Sequence, residues 1–324
     1  MRRLFSFLAK AAVSVLLLYL SLRRVELESI RQRLSGLDLR WVAFILLMLC
    51  IQLPAGALRW REIVATCGAK LPLATAIRYS FIGQFFSQVL PSTVGGDAAR
   101  IWLLARGGAG WPTAIYSMLI DRVVGVSALA VLVVACLPWT LNLVHDPVAR
   151  SVLALIGFGA LAGALMFIAL GVQHLRVMEK WWLTRHLAAA SRLAWRLCRS
   201  AAGMRVAALS FAIHLMTVIV AWGAAMAAHA SVDFVQVSFL VLPVILIATI
   251  PVSIAGWGVR ESAMVLAFSY AGLAASDGLI ISILFGAATL AVGAIGGMTW
   301  IASGYRWGSV KKIEAETMMH DRPT

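Results

Sequence analysis

Long uninterrupted apolar runs constrain this chain more than any other feature. Six of them, at roughly 4–22, 41–58, 113–137, 150–172, 205–228 and 279–303, reach the length of about 20 residues that carries a helix across a bilayer core. They lack period-two alternation, so they predict helices and not the strands of a membrane barrel. Composition agrees: 61% of the residues are hydrophobic and 13% are charged, whereas soluble domains are about half apolar and a quarter charged. The chain reads as an all-α polytopic membrane protein.

The net charge of +14 does not call for nucleic acid. The basic residues lie between apolar runs, where the cytoplasmic bias of Lys and Arg and the anionic lipid headgroups account for them. With the N terminus inside, twenty Lys and Arg fall on cytoplasmic stretches and six on outer ones; Arg122 and Arg260 sit within or beside spans. This count predicts cytoplasmic N and C termini in a plasma membrane of the bacterial inner-membrane type. It places Arg59 and Arg61 in a cytoplasmic loop. The first run follows Arg2 and Arg3 and lacks an A-x-A-like end, so it is expected to stay as a helix. Residues 174–203 are too charged to span, and Trp181, Trp182 and Trp195 interleave with Arg and Lys, as in a helix lying at the cytoplasmic interface. Cys50, Cys67, Cys136 and Cys198 are dispersed and read as small hydrophobes rather than a disulfide or metal framework.

Two further apolar segments, 74–90 and 235–250, end in Pro/Gly-rich breaks and lead into short apolar helices. Backbone can break at membrane depth only inside protein or beside a watery cavity. Both are therefore expected to be re-entrant helical hairpins, at about 74–106 and 235–273. The breaks align: "PSTVGGDAAR" (91–100) on "PVSIAGWGVR" (251–260) sets Pro91 on Pro251, Gly96 on Gly256 and Arg100 on Arg260, at an offset of 160. The same offset carries the second run onto the fifth and the third onto the sixth. Two repeats follow, 1–145 and 146–305, with a cytoplasmic tail at 306–324. Three crossings per repeat invert the second copy, and inverted repeats with broken helices are a transporter architecture.

The break itself has chemistry. Pro91 removes an amide donor and ends the first half-helix, while Gly95 and Gly96 permit reversal and close backbone packing. Asp97 is placed to cap the returning half-helix; Arg100, at i+3, can pair with Asp97 or offer its guanidinium to a ligand. The second copy has Pro251, Gly256 and Arg260 and adds Glu261. Two half-helix N-termini and two arginines near the centre predict a shared anion site. Asp121 and Arg122, in "MLIDRVVGV", are costly in a span and are expected to face a cavity or each other. Gln84 and Gln88 lie on one face of the first hairpin and either line the cavity or pack; His214 reads as a hydrogen-bonded packing residue. No metal or cofactor site is expected. No P-loop is present, so movement would be passive or ion-coupled, with Asp97, Asp121 or Glu261 as candidate proton carriers.

"QVLPSTVGGDAAR", "DRVVG" and "PVSIAGWGVRE", with Arg59-Trp60 after the second run, resemble the signatures of the flippase-like family, also called the lysylphosphatidylglycerol synthase transmembrane-region family. The resemblance covers nearly the whole chain. It implies a membrane domain that moves lipids or lipid-linked precursors between leaflets, with functional positions Pro91, Gly95, Gly96, Asp97, Arg100, Asp121, Arg122, Gly256, Arg260 and Glu261. About 20 polar residues follow the last run, too few for an aminoacyltransferase domain, so the expectation is a stand-alone flippase and not an enzyme. The expected substrate is an anionic or phosphate-bearing lipid, lipid-linked ones included. Expected partners are membrane lipids and enzymes of lipid-linked glycan, hopanoid or phospholipid synthesis. Two other readings stay open. "GGDAAR" is similar to the start of the CDP-alcohol phosphotransferase motif, but a headgroup transferase needs further aspartates to hold metal, and no second pair follows. An ion-coupled small-solute transporter could use similar hairpins.

Overall fold

A computed structural model describes residues 33–90, 95–172, 182–250 and 256–304, with isolated positions 12, 16, 17, 19, 23 and 31 before them. All of the expected first span at 4–22 but positions 12, 16, 17 and 19, the break prolines Pro91 and Pro251 and the tail from 306 lie outside the described residues. Ten α-helices are found among them and no strand: α1 (Leu39–Thr66), α2 (Leu73–Val89), α3 (Gly95–Leu104), α4 (Trp111–Leu143), α5 (Pro147–Leu170), α6 (Trp182–Cys198), α7 (Ala201–Ala227), α8 (Phe234–Ala248), α9 (Val259–Tyr270) and α10 (Ala275–Ala302).

Helix starts follow from local chemistry. Asp38 opens α1 by accepting from the Arg40 amide at 2.9 Å, and Asp146 opens α5 through the Ala149 amide at 2.7 Å. Asp233 and Gln236 open α8 with a reciprocal pair at 2.7 and 3.1 Å. Each satisfies amides that the first helical turn leaves bare. At the other end of α3, a π-helical turn at Ala105–Ala109 unwinds the helix, with Gly108 at φ 97°.

Five helices, α1, α4, α5, α7 and α10, are long and apolar enough to cross a membrane. They coincide with five of the six expected runs, yet several are longer. Helix α1 continues to Thr66 and so takes in Arg59 and Arg61, which the charge count had assigned to a loop. Arg59 tolerates this position because its charge is paired inside the bundle. Helix α5 is the least buried of the five described spans: Leu155, Leu165 and Met166 are exposed, an apolar surface suited to lipid.

Helices α2 and α3 are about 25 Å and 15 Å long, and α8 and α9 about 22 Å and 18 Å. Each is joined to its partner as an antiparallel pair. Gly83 of α2 meets Arg100 and Gly96 of α3, while Leu90 and the Phe86 carbonyl meet Gly95. The outer ends of α2 and α3 lie together, for Leu71 ahead of α2 shares an apolar cluster with Leu104 and Ala105 after α3. Those of α8 and α9 also return to one place: the Ser231 amide ahead of α8 donates to Asp277 at 3.2 Å, just after α9. The first pair therefore opens at the Cys67 end of the bundle and the second at the Asp38 end.

Helices α7 to α10 begin 161 to 164 residues after α1 to α4. Packing is matched in the same way. Helix α2 lies on α10 and α8 on α4, α3 lies on α4 and α9 on α10, and α1 on α7 joins the two sets. Gln52 crosses that central contact by donating to the Ile213 carbonyl at 2.9 Å and the Thr217 hydroxyl at 2.8 Å. Helix α6, within the expected interfacial segment, buries Ala190, Ala194 and Leu197 against Ile63, Ile120 and Val206 at the Cys67 end. Arg185, Arg196 and Arg199 stay exposed.

Candidate functional site

A cavity of about 290 Å³ lies between α1, α2, α3, α4, α7 and α10. Helical periodicity assembles its walls. Leu49, Gln52, Leu53, Gly56 and Arg59 form one stripe of α1, and Ser80, Gly83, Gln84 and Ser87 form one stripe of α2. Gly96, Asp97 and Arg100 come from α3, and Asp121 and Arg122 from α4. Ile213, Phe285, Thr289 and Val292 close it from α7 and α10. The charged groups gather toward the Cys67 end, and Leu49, Leu53 and Val292 line the apolar remainder.

Glycines make the charged wall possible. At Gly96 a Cβ would stand 2.3 Å from the Gly83 carbonyl oxygen and 2.0 Å from Ser87 Oγ. A Cβ on Gly83 would stand 2.9 Å from the Cγ and Cδ of Arg100. Only small residues let α2 and α3 approach so closely and admit the arginine stem between them.

The ion pairs run between elements. Arg59 donates through Nε to Asp121 Oδ1 at 2.9 Å and through Nη1 to the Ser210 hydroxyl at 3.3 Å. Arg100 Nη1 lies 3.5 Å from Asp121 Oδ2, and its guanidinium stacks on the Trp60 ring at 4.1 Å. Trp60 Nε1 is held in turn by Ser117 at 3.3 Å. Arg122 donates through Nε to Asp97 Oδ2 at 2.5 Å. Its side chain is 49% exposed, so it stands at the mouth, whereas Asp97 and Asp121 are buried. Two buried donors have no partner among the described residues, Arg100 Nε and Ser80 Oγ, and both residues line this cavity.

These pairings differ from those expected. Asp97 is the third residue of α3 and bonds Arg122 rather than Arg100, while the residues ahead of α3 that it would cap lie outside the described residues. Asp121 and its neighbour Arg122 take separate partners, because adjacent residues on a helix point about 100° apart. Arg59 is the cavity-lining residue that the charge count misplaced; its sequence signal was the Arg-Trp pair ending an apolar run.

Arg260 and Glu261 do not line this cavity. They form a compact cluster where α9 meets α10. Glu261, fully buried, accepts from Arg260 Nη2 at 2.6 Å, the Gly258 amide at 2.6 Å and the Ser282 hydroxyl at 2.9 Å. Arg260 Nε donates to Ser282 at 2.9 Å, between the rings of Trp257 and Phe285. The expected meeting of Arg100 and Arg260 in one space is thus not seen. Phe285 separates them, lining the cavity on one side and flanking Arg260 on the other. Gly256, at φ 81°, lies in the turn ahead of α9, whereas Gly95 and Gly96 lie inside α3. Gly95 and Gln88 pack instead of lining the cavity, Gln88 against Gly293. Gln84 does line it. His214 bonds the Gly125 carbonyl at 2.9 Å, a packing role.

No curated protein and no solved structure matches this chain. The family comparison does find a match, and it spans the helices that build the cavity and both buried charge clusters. Residues 7–297 fit the family described as the lysylphosphatidylglycerol synthase TM region, and the chain belongs to that family.

Proposed function

We propose that this membrane protein is a lipid transporter, which moves an anionic, phosphate-bearing lipid between leaflets through the central cavity. One observation carries the reading: three arginines and two aspartates line a cavity whose far side is apolar. Such a space suits a negatively charged headgroup with a hydrocarbon body. Family membership, in a membrane region named for lipid synthesis, points the same way.

The architecture fits movement. In this reading, six spans and two re-entrant hairpins form two inverted repeats, with both termini cytoplasmic in a plasma membrane. Helix pairs α2/α3 and α8/α9 turn back inside a core of about 30 Å, which none of their helices is long enough to cross, and enter from opposite faces, since their outer ends lie at opposite ends of the bundle. The open charged cavity belongs to the first hairpin and the closed Arg260–Glu261 cluster to the second. Alternating access would exchange which side is open.

The test is exchange of tail-labelled phosphatidylglycerol in reconstituted vesicles, read by an impermeant quencher. Protein-dependent exchange of phosphatidylglycerol, faster than that of phosphatidylcholine, is the expected result. Exchange at the protein-free rate would reject the transport reading.

A further inference from the structure

We propose a second lipid site apart from the charged cavity: an uncharged slot between α4, α5, α8 and α9. It takes one acyl chain of a phospholipid from the leaflet at the Asp38 end.

The slot encloses about 400 Å³, and none of its lining residues among those described is charged. It shares no described residue with the charged cavity. Helix α9 builds its floor through Val259, Ser262, Ala263, Leu266, Ala267 and Tyr270, which form one stripe at helical spacing. Each of the six keeps part of its surface open, whereas Met264, Val265 and Phe268 on the other face are buried. The stripe is therefore presented to the slot. The two aliphatic hydroxyls there are already used. Ser262 donates to the Leu17 carbonyl at 3.1 Å, and Thr140 donates to the Cys136 and Phe239 carbonyls at 3.1 and 3.3 Å. The Phe239 carbonyl needs that donor because Pro243, four residues on within α8, has no amide to offer. A space with no polar group to hold water stays dry, and an empty one forfeits dispersion contacts along its walls. Hydrocarbon is the occupant that fits.

Two observations make that hydrocarbon a lipid chain. The slot is continuous with the face of α5 that suits lipid. Val148 and Val152 line it while 68% and 46% exposed, and Leu155, one turn on, is 74% exposed. A chain can thus enter from the bilayer without parting any helices. Length agrees as well. The stripe runs along the whole of α9, about 18 Å, from Tyr270 at the Asp38 end to Val259 beside the break of the second hairpin. One leaflet contributes about half of a 30 Å core, about 15 Å. At the mouth, the His145 amide donates to the Tyr270 carbonyl at 3.1 Å, and His145 and Arg150 are exposed, polar neighbours for a headgroup. A chain in the slot packs between α9 and α5, and so braces the hairpin that carries the Arg260–Glu261 cluster.

The test uses the full chain in vesicles containing phosphatidylcholine with a diazirine midway along one acyl chain. Labelled residues are mapped by peptide mass spectrometry after irradiation. An uncharged slot makes no demand on headgroup charge, so the result is independent of phosphatidylglycerol exchange through the charged cavity. Wild type should be labelled on the α9 stripe, at Ala263, Leu266 or Ala267, as well as on α5 at Leu165 and Met166. Ala267→Phe fills the slot and should lose the α9 label while keeping that of α5. Leu266→Ala enlarges the slot and should keep both. Melting temperatures establish that the variants are folded; Ala263→Leu, a smaller filling, replaces Ala267→Phe if that variant is not. Label confined to α5 in wild type would mean that another part of the chain fills the slot, and would overturn the inference. An undiminished α9 label in the folded filling variant would overturn it too.

Discussion

Three guanidinium groups surround the central cavity, and Arg59 and Arg100 share Asp121 while Arg122 takes Asp97. Arg59 is held by Asp121 and Ser210, Arg100 by Trp60 and Asp121, and Arg122 by Asp97. Removing Arg59 leaves Asp121 buried with, among the described residues, the longer Arg100 ion pair at 3.5 Å. Breaking a buried pair from one side costs about 3–5 kcal/mol, so Arg59→Gln should lower the melting temperature strongly. Arg100 and Arg260 should respond oppositely to lysine, which supplies neither a planar stack nor a forked donor. Arg260→Lys should destabilise the fold and leave phosphatidylglycerol affinity intact, since all its partners are internal. Arg100→Lys should weaken lipid binding about tenfold or more, through loss of the forked guanidinium that stacks on Trp60 at the cavity wall. Melting curves beside binding isotherms decide this, and lost affinity in Arg260→Lys would tie the second cluster to the ligand site. Asp97, Arg100, Asp121 and Arg122 were legible in the sequence because charge within apolar runs is conspicuous. Their pairing was not, for Asp121 meets Arg59 from another helix, 62 positions away. Local spacing suggested Asp97 with Arg100, and only packing of α3 on α4 substitutes Arg122.

Helices in this bundle touch through glycine at a few places, and these places separate packing from propensity. On α10, a Cβ at Gly296 would lie 1.8 Å from the Phe81 carbonyl oxygen of α2, and one at Gly96 would lie 2.3 Å from that of Gly83. Backbone cannot yield as a side-chain tip does, so Gly296→Ala and Gly96→Ala should each cost at least about 1–3 kcal/mol. Gly159 and Gly163 of α5 have nothing within 4 Å, and alanine there should be neutral or slightly stabilising, by up to about 1 kcal/mol. Melting temperatures of the four variants test this; a harmless Gly296→Ala would mean that α2 and α10 do not pack so closely. At this scale the sequence was informative about which segments are helical, because apolar length alone identifies them. It was poorer on ends. Helix α1 outruns its apolar stretch by two turns because Trp60, Ile63 and Val64 are fully buried against the bundle there, packing that no local pattern encodes. The π-turn after α3 went unread, for "ARGGA" carries only a loop-like signal.

The whole molecule is organised by its two ends, and that organisation makes predictions no single helix does. Both outer ends of α2/α3 lie at the Cys67 end, and both of α8/α9 at the Asp38 end. With the four native cysteines replaced, Lys70→Cys and Arg106→Cys should react with an impermeant maleimide from one face of the membrane. Ser231→Cys and Ala274→Cys should react from the other. A pair that splits between faces would show that its helices cross the membrane, and would remove the inverted-repeat reading. The last prediction concerns the route itself. Gly56 lines the cavity, and a Cβ placed on it meets nothing within 4 Å. A larger side chain there projects into vacant space rather than into a neighbour. It also replaces a mid-helix glycine of α1, so the fold should be as stable as wild type or more so. Gly56→Leu should therefore fill the space between Arg59 and the apolar wall without touching any ion pair. Exchange of tail-labelled phosphatidylglycerol should fall toward the protein-free rate, and Gly56→Ala should fall between the two. Undiminished exchange by Gly56→Leu, at an unchanged melting temperature, would mean that lipid passes along the outer surface of the bundle, and that the charged cavity serves another purpose than passage.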